Sequence, residues 1–174
     1  MKKEINLISE ILKVEGDEAE LIVYYAGHGH PEEATHVPYL IPVDVTSKDL
    51  YGAIKLDDLY RDLSATGANR IIIVLDACFT GGARKTGLMA SSRGVTVKPK
   101  EEVLSGNLLV FSASSGKESS LAYDNEEHGM FTYYLLKKLQ ESDGNVSMGE
   151  LADYLQDNVP LESLKINGKK QNPA

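Results

Sequence analysis

Only one cysteine, Cys78, occurs in the 174 residues. No internal disulfide can form, so Cys78 is a free thiol, either a small core residue or a reactive one. Positive charge is also scarce: 18 Lys and Arg against 26 Asp and Glu leave a formal charge of -8. Such a chain lacks the clustered cations that hold phosphates, and no nucleic acid is expected as a partner. No apolar run approaches the roughly 20 residues of a spanning helix, so no membrane is expected either. The opening Met1-Lys2-Lys3-Glu4-Ile5 is broken at once by charge and polarity and carries no secretory apolar stretch, which points to the cytoplasm. No Gly-x-x-x-x-Gly-Lys-Ser/Thr loop is present to cradle a nucleotide. There is no internal repeat, low-complexity tract or linker. With 42% hydrophobic and 25% charged residues, the composition is that of one ordinary globular domain over residues 1–174.

What is present reads as alternating helices and strands. Ile5, Ile8, Ile11 and Leu12 form a helical stripe within residues 4–14, closed by Glu15-Gly16-Asp17. Leu21 to Tyr25 is a continuous apolar run, ended by Ala26-Gly27, that suits a buried strand. A polar loop with Pro31 and Pro38 follows. Leu56, Leu59, Tyr60 and Leu63 recur at helical spacing before Gly67, and Arg70 to Leu75 is the strongest strand signal. Beyond Gly81-Gly82, residues of about 83–102 are too long and polar for a plain connection and read as a mobile functional loop. Leu108 to Phe111 is a third strand and Phe131 to Leu139 a helix. Ser147 with Glu150 is a capping box opening a last helix through Leu155. The sum is an α/β fold with a parallel sheet.

Two of these strands run into reactive residues flanked by glycine: Tyr24-Tyr25-Ala26-Gly27-His28-Gly29-His30 and Val74-Leu75-Asp76-Ala77-Cys78-Phe79-Thr80-Gly81-Gly82. Sites in open parallel sheets form at the carboxyl ends of strands, so neighbouring strands would set His28 against Cys78. A nearby imidazole raises the thiolate fraction of a cysteine and supplies an acid for the leaving group. Gly29 leaves its backbone N–H unobstructed, free to join that of Cys78 as an oxyanion hole.

These segments, with His128-Gly129-Met130-Phe131-Thr132, resemble the caspase-like peptidases of bacteria, near the metacaspase and paracaspase branch. The histidine about 50 residues before the cysteine is itself a caspase spacing. The resemblance runs from about Glu4 to Pro173. It implies a three-layer α/β/α sandwich around a mostly parallel sheet, a hydrolase cutting peptide bonds of protein or peptide substrates through an acyl-enzyme, and no organic cofactor. His28 and Cys78 are then the Cys-His dyad. Relatives usually open with an apolar strand upstream of the segment matching Glu4 to Val14. This chain is therefore expected to lack the usual first strand and to expose a sheet edge. It also stops at Lys170-Gln171-Asn172-Pro173, where relatives tend to continue into another strand.

In metacaspase-like relatives the acidic residue two before the cysteine receives the side chain preceding the cut. By that resemblance Asp76 selects arginine or lysine, and a guanidinium is a good bidentate partner for a buried carboxylate. Phe111-Ser112-Ala113-Ser114 resembles the strand flanking that pocket, which makes Ser112 and Ser114 substrate-binding candidates. Arg84, Lys85, Arg93, Lys98 and Lys100 in the long loop are candidate self-cleavage sites. Plainer readings stand beside these. Asp76 also fits a structural carboxylate held by hydrogen bonds. His28, His30 and His36 also fit a zinc cluster, though without an acidic or cysteine partner nearby. By the same resemblance Asp57 and Asp58 fall where some metacaspases hold acidic calcium ligands, with Asp44 acidic nearby, but such a pair more often only caps a helix. His128 reads as part of a helix-entry turn. The rival to an endopeptidase is a catalytically inactive caspase-like interaction module.

Overall fold

The computed structural model describes residues 1–32, 34–45, 50–79, 106–114 and 118–174. In chain order these form helix α1 (Lys2–Glu15), strands β1 (Glu20–Pro31), β2 (Pro38–Ile41) and β3 (Ile54–Lys55), and helix α2 (Leu56–Ser64). Strands β4 (Arg70–Cys78), β5 (Leu108–Ser112), β6 (Ala122–Tyr123) and β7 (His128–Gly129) follow, then helices α3 (Met130–Glu141) and α4 (Met148–Asn167). The expected loop over about 83–102, with Arg84, Lys85, Arg93, Lys98 and Lys100, lies outside the described residues.

Five strands make one sheet in the order β3-β2-β1-β4-β5. β1, β4 and β5 are mutually parallel, whereas β2 and β3 add an antiparallel edge. That edge lies in the stretch read as a polar loop: after Pro31 the chain turns, Glu32 N–H donates to Val37 O at 2.8 Å, and β2 returns alongside the end of β1.

The alternation of β4 builds the layers. Ile71, Ile73, Leu75 and Ala77 pack with Leu12 of α1 and with Leu56, Leu59 and Leu63 of α2. On the opposite face Val74 packs with Phe111, with Phe131 and Leu135 of α3, and with Leu151, Leu155 and Val159 of α4. Fully burying each such side chain contributes about 1.5–3 kcal/mol, so a strand apolar on both faces demands helices on both. The result is the α/β/α sandwich.

The stripe expected on α1 is divided. Ile5, Ser9 and Leu12, spaced i, i+4 and i+7, face the sheet, while Ile8 and Ile11 are exposed. A helix meeting the sheet along so narrow a face cannot cover the whole stripe. Helix α4 has the expected capping box, with Glu150 N–H donating to Ser147 Oγ at 3.2 Å and Ser147 N–H to Glu150 Oε2 at 3.0 Å. It runs past Leu155 and through Pro160, because Val159 and Ser163 beside the proline are buried and offset the one backbone bond it removes.

β1 is paired with β4 along Glu20 to His28, but β2 meets it only from His28 to Pro31. Among the described residues, no strand pairs with its outer edge from Glu20 to Gly27. Ile22 and Tyr24, on the α3 and α4 side of that edge, are 71% and 51% exposed. No helix among the described residues is long and apolar enough to cross a membrane.

Candidate active site

The parallel register of β1 and β4 sets Ala26 beside Asp76, Gly27 beside Ala77 and His28 beside Cys78. Neighbouring strands lie about 4.8 Å apart and register partners share a face of the sheet, so His28 and Cys78 emerge side by side at the carboxyl ends. Their face is that of Val74 and α3. His28 is exposed, whereas Cys78 is only 6% exposed.

β1 does not end at Ala26-Gly27. It continues through His28, because here the chain has a neighbour on each side, β2 and β4. Tyr25 braces this extension: its hydroxyl reaches the carbonyl oxygens of His28 at 2.8 Å and Ile41 at 3.0 Å. Burial pushes the Tyr25 pKa up, which keeps the hydroxyl a donor. Gly29 owes its identity to close packing. A Cβ there would stand 2.5 Å from the Phe79 ring and 2.7 Å from Cys78 O.

Asp76, 1% exposed, lies one turn of the pleat from Cys78 on the same face. Its carboxylate accepts from Ser120 Oγ and, at 2.5 Å, from Thr132 Oγ1. Thr132 commits its only hydroxyl proton to that bond, so Tyr24, whose hydroxyl is 2.9 Å from Thr132 Oγ1, is the donor between those two. Gly129, the residue before α3, presses its backbone on the carboxylate, which therefore sits at the positive end of a 12-residue helix. Hydroxyls and helix end together make a buried anion tolerable.

Ser120 also touches the nucleophile candidate. Its N–H donates to Cys78 Sγ at 2.7 Å and its carbonyl accepts from the thiol at 3.4 Å. The segment carrying it is moored by the C-terminal residues. Leu121 N–H donates to Gln171 Oε1 at 2.8 Å, Asn172 N–H donates to Glu118 Oε2 at 2.9 Å, and Gln171 Nε2 donates to Ala113 O at 2.9 Å. Ala174 in turn pairs with Ser112 at the edge of β5, through backbone bonds of 2.6 and 2.9 Å.

A family model for the caspase domain matches residues 2–174. The chain belongs to the caspase-domain family of cysteine peptidases. Among solved structures this caspase domain is similar to caspase-1 from Spodoptera frugiperda, at 18% identity and a TM-score of 0.63, over 99% of this chain and 67% of that one. At that identity the likeness speaks for the fold. No curated protein matches the chain by sequence.

Within the caspase domain, His28, Cys78 and Asp76 gather at one sheet end, and Gly29 lies beside Cys78. Ser112 does not join them. It is the register partner of Leu75 and so lies on the α1 and α2 face, where its hydroxyl donates to Ser114 O at 3.0 Å. Ser114 is buried just beyond β5. Among the described residues Ser120 reaches Asp76 and Cys78, and Thr132 and Tyr24 add further hydroxyls; sequence reading named none of the three as site residues. The one signal was the His128-Gly129-Met130-Phe131-Thr132 motif, read as a helix entry. His128 is indeed exposed in β7 opposite Tyr123, while Gly129 and Thr132 face Asp76.

The residues weighed as alternative metal ligands are spread over several elements. Asp57 and Asp58 begin α2, and Arg61 bonds Asp58 at 2.8 Å. His30 lies in β1 and His36 in a left-handed turn at φ 60°. Among the described residues no three His, Cys, Asp or Glu side chains are grouped to hold an ion.

Proposed function

We propose that this chain is an endopeptidase cutting after arginine or lysine. In this reading Cys78, as thiolate, attacks the carbonyl carbon of the scissile bond, and the N–H groups of Gly29 and Cys78 stabilise the oxyanion. His28 carries the thiol proton to the leaving amine, the C–N bond breaks, and an acyl-enzyme is left on Cys78. Water, deprotonated by His28, then releases the acid and regenerates the thiol. The register pairing of His28 with Cys78 is the observation that carries this reading.

The basic preference rests on Asp76. Its carboxylate is buried beside Cys78 and accepts from the Ser120 and Thr132 hydroxyls. A cationic side chain reaching that carboxylate would gain a charge-assisted bond in a buried setting. The test is turnover of paired fluorogenic peptides differing only in Arg, Lys or Asp before the cut. Arg and Lys peptides are expected to be cleaved and the Asp peptide spared, with Asp76→Asn lowering kcat/KM for the basic pair. Cleavage after Asp, or no cleavage by a folded sample, would overturn the reading.

A second reading, an interaction module without turnover, is favoured by the burial of Cys78 and by the β1 edge with Ile22 and Tyr24, which no described strand pairs with. Cys78→Ala separates the two, abolishing turnover in the first and sparing partner binding in the second.

A further inference from the structure

A chain of hydroxyls runs from the surface of β1 to Asp76. Tyr24 is the register partner of Val74 and so shares the sheet face of Asp76 and Cys78. The residue is 51% exposed, yet its hydroxyl reaches Thr132 Oγ1 at 2.9 Å, and the buried Thr132 donates to Asp76 Oδ2 at 2.5 Å. Tyr24 and Thr132 lie 108 residues apart, on β1 and on the first turn of α3, so the bond fixes one element against the other. A helical threonine has two accessible rotamers, because its hydroxyl can also turn back to a carbonyl of the preceding turn. Donation from Tyr24 fills a lone pair on Oγ1 and leaves the single Thr132 proton for Asp76. Each bond in such a chain polarises and strengthens the next.

We infer that Tyr24 is a positioning residue for substrate selection, acting through Thr132 on the Asp76 carboxylate. This deepens the peptidase reading and rests on Asp76 receiving the cation. A charge-assisted bond to a guanidinium or ammonium is short and directional, so it forms best with a carboxylate oxygen that is already held in place. Tyr24 keeps the Thr132 hydroxyl turned towards Oδ2, and Thr132 keeps Oδ2 from swinging away. Asp76 has partners besides these hydroxyls, so the pair is one support among several, and its loss weakens the preference for a basic residue without abolishing it. The pair acts on the carboxylate and leaves His28 and Cys78 in register, so its effect falls on KM more than on kcat.

The test is steady-state cleavage of matched Arg and Lys peptides by the full chain, as wild type, Tyr24→Phe, Thr132→Val, Thr132→Ser and the double variant Tyr24→Phe/Thr132→Val, with thermal melts to check folding. Thr132→Val is expected to raise KM roughly tenfold, the factor that one lost hydrogen bond to a charged group corresponds to, with kcat nearly unchanged. Tyr24→Phe deletes only the outer hydroxyl and is expected to raise KM about threefold. Thr132→Ser keeps the donor and should stay close to wild type. Because both substitutions break one chain, the double variant is expected to match Thr132→Val alone. In an Asp76→Asn background Tyr24→Phe should raise KM no further, a result that a merely structural role would not give. Tyr24→Phe, at a half-exposed position, decides the matter if Thr132→Val fails to fold. A wild-type KM in Tyr24→Phe, two effects that add in full in the double variant, or a Tyr24→Phe effect that persists in Asp76→Asn would overturn the inference and leave the peptidase reading intact. Absence of Arg and Lys cleavage by folded wild type would instead sink the peptidase reading, and the inference with it.

Discussion

The backbone of Gly129 lies against the carboxylate of Asp76 so closely that a Cβ on it would stand 2.2 Å from Oδ2. Gly129→Ala is therefore expected to displace either the start of α3 or the carboxylate. Overpacking of this kind costs about 1–3 kcal/mol, and a chemical denaturation curve measures it. The same variant should lose kcat/KM on Arg peptides, since Asp76 is moved. Unchanged stability and activity would mean that α3 yields freely there.

Gly29 makes the corresponding test on the dyad side. Its Cβ would meet the Phe79 ring and the Cys78 carbonyl, at 2.5 and 2.7 Å. Gly29→Ala should separate the ends of β1 and β4, lowering kcat more than it raises KM, because it is the reacting groups that move apart.

Tyr25→Phe deletes the hydroxyl that bridges the His28 and Ile41 carbonyls. A loss of about 0.5–1.5 kcal/mol is expected, together with a drop in kcat from a less firmly placed His28. The pH dependence has a definite sign. Burial raises the folded pKa of Tyr25 and of Tyr60 above the ordinary tyrosine value. The stability linked to these groups is fully present below about pH 10 and is lost as pH rises through the folded values. Urea midpoints should therefore fall at alkaline pH, less steeply in Tyr25→Phe than in wild type.

At acid pH the capping box of α4 gives the opposite sign. Hydrogen bonds from the Ser147 hydroxyl and backbone hold the Glu150 pKa below the usual carboxylate range. That contribution is present above the unfolded pKa and disappears as pH falls through the lowered folded one. Ser147→Ala should cost about 1 kcal/mol near neutrality and progressively less on acidification, as followed by helical circular dichroism.

The parallel centre of the sheet and the two strand-end motifs were legible in the sequence because β4 is apolar on both faces and the residues after it are not. The capping box at Ser147 was legible for the same kind of reason: its partners are three residues apart. β2, β3, β6 and β7 were not, since strands of two to four residues carry too little periodicity to read. Ser120 and Thr132 were hidden for another reason. They reach Asp76 from positions 44 and 56 residues away, and a serine or threonine that bonds across such a distance looks like any loop or helix residue. Ser112, a substrate-binding candidate by resemblance, shows what the two-residue alternation of β5 adds: as the register partner of Leu75 it lies on the α1 and α2 face.

The most direct test of the account is covalent capture. An arginyl acyloxymethyl ketone peptide, incubated with wild type and with Cys78→Ala and His28→Ala, is followed by peptide mapping. The account predicts a single adduct on Cys78 in wild type, none in Cys78→Ala, and a much slower adduct in His28→Ala. Arg-peptide cleavage that persists in Cys78→Ala, or labelling of wild type at another residue, would contradict it.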